Sequence, residues 1–205
     1  MRPILLPLFF IFSIAAHAHQ PEDGKVYASF GPYVYQTHRY HEQFEAPWSG
    51  GFALVAEGDL NKYGGVELTL IYMNHLFGIE REDKKLIERQ TRMYIATGWR
   101  HWFSKDFSLS PSFFSSYVMG DTKIIRSEFP QANPPTTSAR DAVDYGIGLS
   151  AQLEVFQRDK FAVVVDGRYS WSATAKHGED MNVYGFLVTL KYFIQGKQAE
   201  EHEDL

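Results

Sequence analysis

Residues 144–156, DYGIGLSAQLEVF, alternate between two unlike faces. Tyr145, Ile147, Leu149, Ala151, Leu153 and Val155 fall on one side. Asp144, Gly146, Gly148, Ser150, Gln152, Glu154 and Phe156 fall on the other. A period of two belongs to a β-strand whose faces meet different surroundings. Eight segments share this character, at about 25–35, 50–58, 64–76, 90–102, 107–119, 142–156, 160–173 and 182–194. No stretch carries a helical stripe.

Each strand keeps one face nearly free of charge. Val66, Leu68, Leu70 and Tyr72 oppose Glu67, Thr69, Ile71 and Met73. Met93, Ile95, Thr97 and Trp99 oppose Arg92, Tyr94, Ala96, Gly98 and Arg100. The second faces collect the acids Glu67, Asp144, Glu154 and Asp166 and the bases Arg92, Arg100, Arg168 and Lys191. The pattern shows two faces but not which one is wet. A soluble barrel turns the apolar face inward, as a secreted lipocalin-like carrier of an apolar ligand would. A membrane barrel does the reverse.

The connections help to decide. GDLNKYG (58–64), FSKDF (103–107) and QRDKF (157–161) are short and polar. Those at 36–49, 77–89, 120–141 and 174–181 are longer, and EFPQANPPTTSARD carries prolines that exclude regular pairing. Short turns alternating with long loops are the habit of outer-membrane barrels. With eight strands, both termini then lie on the periplasmic side. Tyr72, Tyr117, Tyr145, Tyr169, Trp171 and Tyr184 gather toward one end of their strands, and Phe107, Phe156, Phe161 and Tyr192 toward the other. Two aromatic girdles around an aliphatic band suit two lipid–water interfaces. The expected fold is all-β: an eight-stranded antiparallel up-and-down transmembrane β-barrel. The eight charges would line its narrow interior as a self-neutralising network that plugs it.

The ends fit export. Arg2, the apolar run from Ile4 to Ala15 and the Ala16-His17-Ala18 site form a secretory signal peptide, cleaved near Ala18. The domain reading is therefore a signal peptide over 1–18, a barrel over 19–196 and a disordered acidic periplasmic tail over 197–205. The sequence has no cysteine, so no disulfide is available, and its net charge of −5 excludes a basic nucleic-acid binder. A mean hydropathy of −0.29 argues against a helical membrane protein but not against a barrel with a polar interior.

The last segment, VYGFLVTLKYF (183–193), resembles the terminal strand of small outer-membrane barrels of the OmpA/OmpX type. Gly185, Val188, Leu190, Tyr192 and Phe193 match its glycine, alternating apolar positions and final aromatic. The resemblance implies recognition by the barrel assembly machinery in the outer membrane of a Gram-negative bacterium. It also implies contact with outer-membrane lipid and lipopolysaccharide, and function carried by loops 36–49, 77–89 and 120–141 toward an extracellular partner. The chain departs from the family by continuing past the aromatic.

Candidate chemistry is sparse, and no cofactor is called for. His38, His41 and His177 lie in loops with carboxylates and are weak metal candidates. An outer-leaflet lipid A-modifying enzyme is the alternative function. APWSGGF (46–52) resembles a segment of the lipid A palmitoyltransferase, but no Asp-Ser pair stands near Asn74-His75. GRYSWS (167–172) sits where a lipid A deacylase carries His-x-Ser, and here Arg168 replaces the histidine. The stripe of Ser108, Ser110, Ser112 and Ser116 reads as small side chains for a crowded lumen. Ile79, Leu86 and Ile87 suggest that strands three and four continue upward as a hairpin, whose exposed edge would take a partner by strand addition.

Overall fold

Eight long strands close on one another in a ring. The computed structural model describes residues 23–37, 47–81, 84–130, 135–176 and 179–195. In chain order the elements are β1 (Val26–Thr37), β2 (Ser49–Asn61), β3 (Gly64–Arg81), β4 (Lys84–Trp102), β5 (Phe107–Val118), β6 (Lys123–Ser127), a single 3-10 turn (Ser138–Arg140), β7 (Val143–Arg158), β8 (Phe161–Ser172), β9 (Glu179–Asp180) and β10 (Val183–Gln195). All strand pairs are antiparallel. The ring runs β1-β2-β3-β4-β5-β7-β8-β10 and returns to β1. Closure pairs Val26 with Gln195 and Thr37 with Val183. A closed ring leaves no backbone edge within the wall.

Three tight connections mark one end of the barrel. Lys62-Tyr63 joins β2 to β3, with the Tyr63 amide donating to Asn61 Oδ1 at 2.8 Å. Ser104 Oγ accepts from the Phe107 amide at 3.0 Å in the β4–β5 turn. Asp159, at φ 53°, turns β7 into β8, a conformation that aspartate tolerates. The opposite end carries the longer connections, those between β1 and β2, β5 and β7, and β8 and β10.

The apolar face points out. Phe113 is 59% exposed, Ile147 61% and Leu149 43%, while Glu67, Arg92, Arg100 and Lys191 are all at most 2% exposed. Phe30, Leu54, Leu68, Phe186 and Leu190 extend the exposed band around the ring. A soluble protein gains by the opposite arrangement. This band belongs in hydrocarbon, and the lipocalin-like reading falls with it. Tyr72, Tyr117, Tyr145 and Trp171 rim the band at the loop end, and Phe107, Phe161 and Tyr192 at the turn end.

Several expectations need correction. Strict alternation puts Phe156 on the polar face. A bulge between Glu154 and Phe156 shifts the register, so Val155 and Phe156 are both exposed. The stretch 77–89 is mostly not a loop, because β3 and β4 stay paired up to Arg81 opposite Lys84. The connection 120–141 does form strand. Its KIIRS segment lies ahead of the prolines, and β6 continues β5 upward along β4 after the Met119 amide bonds Thr91 O at 2.9 Å.

The hairpin's edges are not free. β6 covers the β4 edge from Leu86 to Arg89. On the β3 edge, the Tyr35 hydroxyl donates to Asn74 O at 2.9 Å and accepts from Asn74 N at 2.7 Å. Thr37 Oγ1 donates to Leu76 O, and β9 pairs with Gly78 and Ile79. Strand addition to this hairpin is therefore blocked along those residues. The cleavage site, the acidic tail, His38, His41 and His177 lie outside the described residues.

Candidate functional site in the barrel interior

Inward side chains stack in three tiers. The lowest, at the turn end, is ionic. Residues from β2, β3, β4, β7, β8 and β10 converge there because each strand turns every second residue inward. Arg100 bonds Glu67 and reaches Asp166 at 3.4 Å and Glu57 at 3.7 Å. Arg168 joins Asp166 at 2.7 Å and Glu67 at 3.0 Å. Lys191 joins Glu57 at 2.6 Å and Glu154 at 3.0 Å.

Hydroxyls complete the coordination. Arg100 donates to Ser108 Oγ at 2.8 Å and Ser150 Oγ at 3.1 Å, and Arg168 to Thr69 Oγ1 at 2.8 Å. The Lys191 ammonium also lies over the rings of Tyr27 and Trp102, at 4.6 and 5.0 Å. Burying one unpaired ion costs several kcal/mol, and a shared network offsets much of that cost.

The middle tier is apolar. Tyr33, Tyr35, Ala53, Val55, Ile71, Met73, Tyr94, Ala96, Phe114, Val183 and Leu187 pack across the lumen. Tyr33 and Tyr35 stack at 5.1 Å, and Tyr94 and Phe114 at 4.6 Å. Gly185 faces this stack. A Cβ there would stand 2.5 Å from Val34 O and 2.7 Å from Tyr35 Cβ, so only glycine lets the tyrosines approach. A cavity of about 20 Å³, bordered by Met73, Tyr94, Asp144 and Arg168, has room for roughly one water molecule.

The third tier caps the loop end. Arg92 donates to the carbonyls of Ser138 at 2.9 Å and Asp141 at 2.8 Å. Its guanidinium lies 4.9 Å from the Phe77 ring centre. Glu179 accepts from the amide and hydroxyl of Ser138, at 2.7 and 2.5 Å. Glu88 accepts from Thr137 and from Arg140. Ala139 is thereby driven against Phe77 and Met181, and His75 Nε2 donates to Met181 O at 2.8 Å.

Of the eight charges marked in the sequence, six meet in the lowest tier: Glu67, Arg100, Glu154, Asp166, Arg168 and Lys191. Arg92 and Asp144 do not. Arg92 belongs to the cap, and Asp144 accepts from Ser172 Oγ at 2.6 Å and from Thr174. Glu57 joins the network unannounced, giving it four acids and three bases rather than equal numbers. Its signal was present, since Ala53, Val55, Glu57 and Asp59 alternate on one face of β2. Glu88 and Glu179 had no such signal, because their partners come from the distant segment 137–140.

On β10, Val188, Leu190 and Tyr192 face outward, Phe193 packs 5.5 Å from Tyr27, and Gly185 faces in. Ser108, Ser110 and Ser116 are buried. Among the described residues no three His, Cys, Asp or Glu side chains are grouped to hold a metal ion.

No protein-family model matches the chain, and no curated protein sequence matches it. Solved structures do. Ail, the attachment invasion locus protein of Yersinia pestis, in complex with the heparin analogue sucrose octasulfate, is similar over 84% of this chain and 99% of its own. Its TM-score is 0.53 and its identity 16%. The outer membrane protein OprG from Pseudomonas aeruginosa is similar over 88% of this chain and 100% of its own, with a TM-score of 0.54 and 8% identity. At such identities the likeness shows the fold. The chain has the architecture of the small eight-stranded outer-membrane β-barrels.

Proposed function

We propose that the protein is a non-enzymatic integral barrel of a Gram-negative outer membrane, with a plugged lumen. It contributes to envelope structure and to surface contacts made by the loop end. The N-terminal segment directs export and is cleaved near Ala18, and the barrel assembly machinery reads the β10 pattern.

One observation carries this reading. Ionic, apolar and capping tiers follow one another along the interior, each tied across strands by side-chain bonds or ring packing. Water and solutes have little room between them. Purified protein in planar bilayers should show no large steady conductance. Stable openings of porin size would refute the plugged reading. The protein should also sediment with the outer membrane and migrate differently on gels before and after heating. Recovery as a soluble periplasmic monomer would refute the location.

A further inference from the structure

Above the rim of Tyr72, Met93 and Tyr117 the wall made by β3, β4 and β6 continues upward. Its outward face is read from the register. Asn74 and Thr91 form the first row and bond each other at 2.8 Å. In the next row Arg89 of β4 stands directly opposite Lys123 of β6. Arg126 is opposite Ile87 in the row after that.

Arg89 and Lys123 are both exposed, and neither side chain has a hydrogen bond or ion pair among the described residues. Two like charges in directly opposed positions destabilise a strand pair. Arg126 differs, because Glu128 takes it in an ion pair and the Arg126 hydrogen bond holds the Glu128 carboxyl below the usual range. Glu128 is thus spent on the upper base and Glu80 stands opposite Lys85 higher on the wall, so the lower pair is left bare.

Height tells what the pair meets. Arg89 is four residues up β4 from Met93. At ~3.4 Å per residue and a tilt near ~40° that is roughly 10 Å above the rim. Long basic side chains at that height reach back into the headgroup layer. We propose that Arg89 and Lys123 form a clamp for a lipid phosphate of the outer leaflet, on the β4–β6 side of the barrel. Arginine supplies the two-pronged donor and lysine the second positive charge. The opposed cations cost stability in the bare protein, and the phosphate between them removes that cost. The clamp rests on the membrane reading above.

The test uses the full chain in nanodiscs of phosphatidylcholine mixed with phosphatidylglycerol, with native mass spectrometry to count the anionic lipid retained on release. Wild type should retain phosphatidylglycerol in preference to phosphatidylcholine. R89Q/K123Q should lower that preference by about thirtyfold, two cations at the surface each contributing about one kcal/mol. R126Q should change it little. In pure phosphatidylcholine the double variant should unfold at no lower urea concentration than wild type, since it removes a repulsion.

Equal retention by wild type and R89Q/K123Q overturns the clamp. So does a result in which the pair binds soluble sucrose octasulfate in phosphatidylcholine discs while lipid retention is unaffected by the variant. If the wild-type chain fails to insert into bilayers at all, the membrane reading fails. Insertion without a lipid preference sinks only the clamp.

Discussion

The two faces of the wall obey different rules. Outward residues stay uncharged and mostly aliphatic or aromatic from Phe161 at the turn end to Tyr72 at the loop end, with Thr97 and Ser115 among them. Inward residues change character along the same height, from the ions around Arg100 to the rings around Tyr35 and then to the polar cap around Arg92. Lipid is a single solvent, so one face needs one chemistry. The lumen has no solvent of its own, and each inward side chain is matched only to its neighbours. The outward face can therefore change among apolar residues cheaply, while the inward face is a set of particular pairings.

The sharpest way to break this contrast is to remove one member of the ionic tier. Arg100→Ala leaves Glu67, Asp166 and Glu57 short of a cation in a buried site. It should lower folding free energy by about 3–5 kcal/mol in urea titrations in detergent or bilayers. Arg100→Ala/Glu67→Gln should recover part of the loss, which would mark it as an unpaired charge rather than lost packing.

On the other face, Leu149→Arg puts a charge into hydrocarbon and should cost ~2–4 kcal/mol in the same titration. Its neighbour Ser150, inward and buried, should tolerate alanine at a cost of about 1.5 kcal/mol, the low end for a lost hydrogen bond to a charged group, here Arg100. A larger cost at Ser150→Ala than at Leu149→Arg would invert the assignment of the faces.

Thr137 tests the cap more gently. Its side chain accepts from the Ala139 amide at 3.1 Å and donates to Glu88. Thr137→Ala should cost about 1 kcal/mol. The effect should appear as faster amide exchange at Ser138 and Ala139, with the ring strands unchanged.

The smallest effect concerns pH on the outer wall. Glu128 has its carboxyl held down by Arg126. A depressed carboxyl contributes stability above its ordinary pKa and loses it as pH falls through the lower folded value. Acid should therefore loosen β6 from Lys85 while leaving the barrel intact. Carbon-13 titration of Glu128 should give a midpoint below the usual glutamate range in wild type and near it in Arg126→Gln.

The ring strands were legible because lipid on one side enforces alternation. Even so, alternation failed at Phe156, where an extra residue in β7 turned two neighbours outward. It also says nothing about register. Glu67 and Arg100 face the same way on adjacent strands, but their meeting depends on Glu67 pairing with Gly98, which no local pattern encodes. The hairpin extension was visible in Ile79, Leu86 and Ile87. Its covering by β6 and β9 was not, because both strands come from polar connections whose pairing is decided by what lies beside them. The cap was illegible for the same reason, since Ser138 and Glu179 are 41 residues apart.

Closure between β1 and β10 has a consequence in time. Val26 pairs with Gln195, so the seam joins nearly opposite ends of the chain. Until β10 arrives, β1 and β8 both lack a neighbour, and Lys191 has not yet reached Glu57 and Glu154. A partial barrel leaves those strand edges and buried charges without partners. Distant partners that must meet before any reward make such folds slow. A nascent copy therefore has to be kept unfolded and protected along its whole length, then completed in one event at the membrane. Deleting β10 should yield a chain that is degraded rather than a seven-stranded remnant.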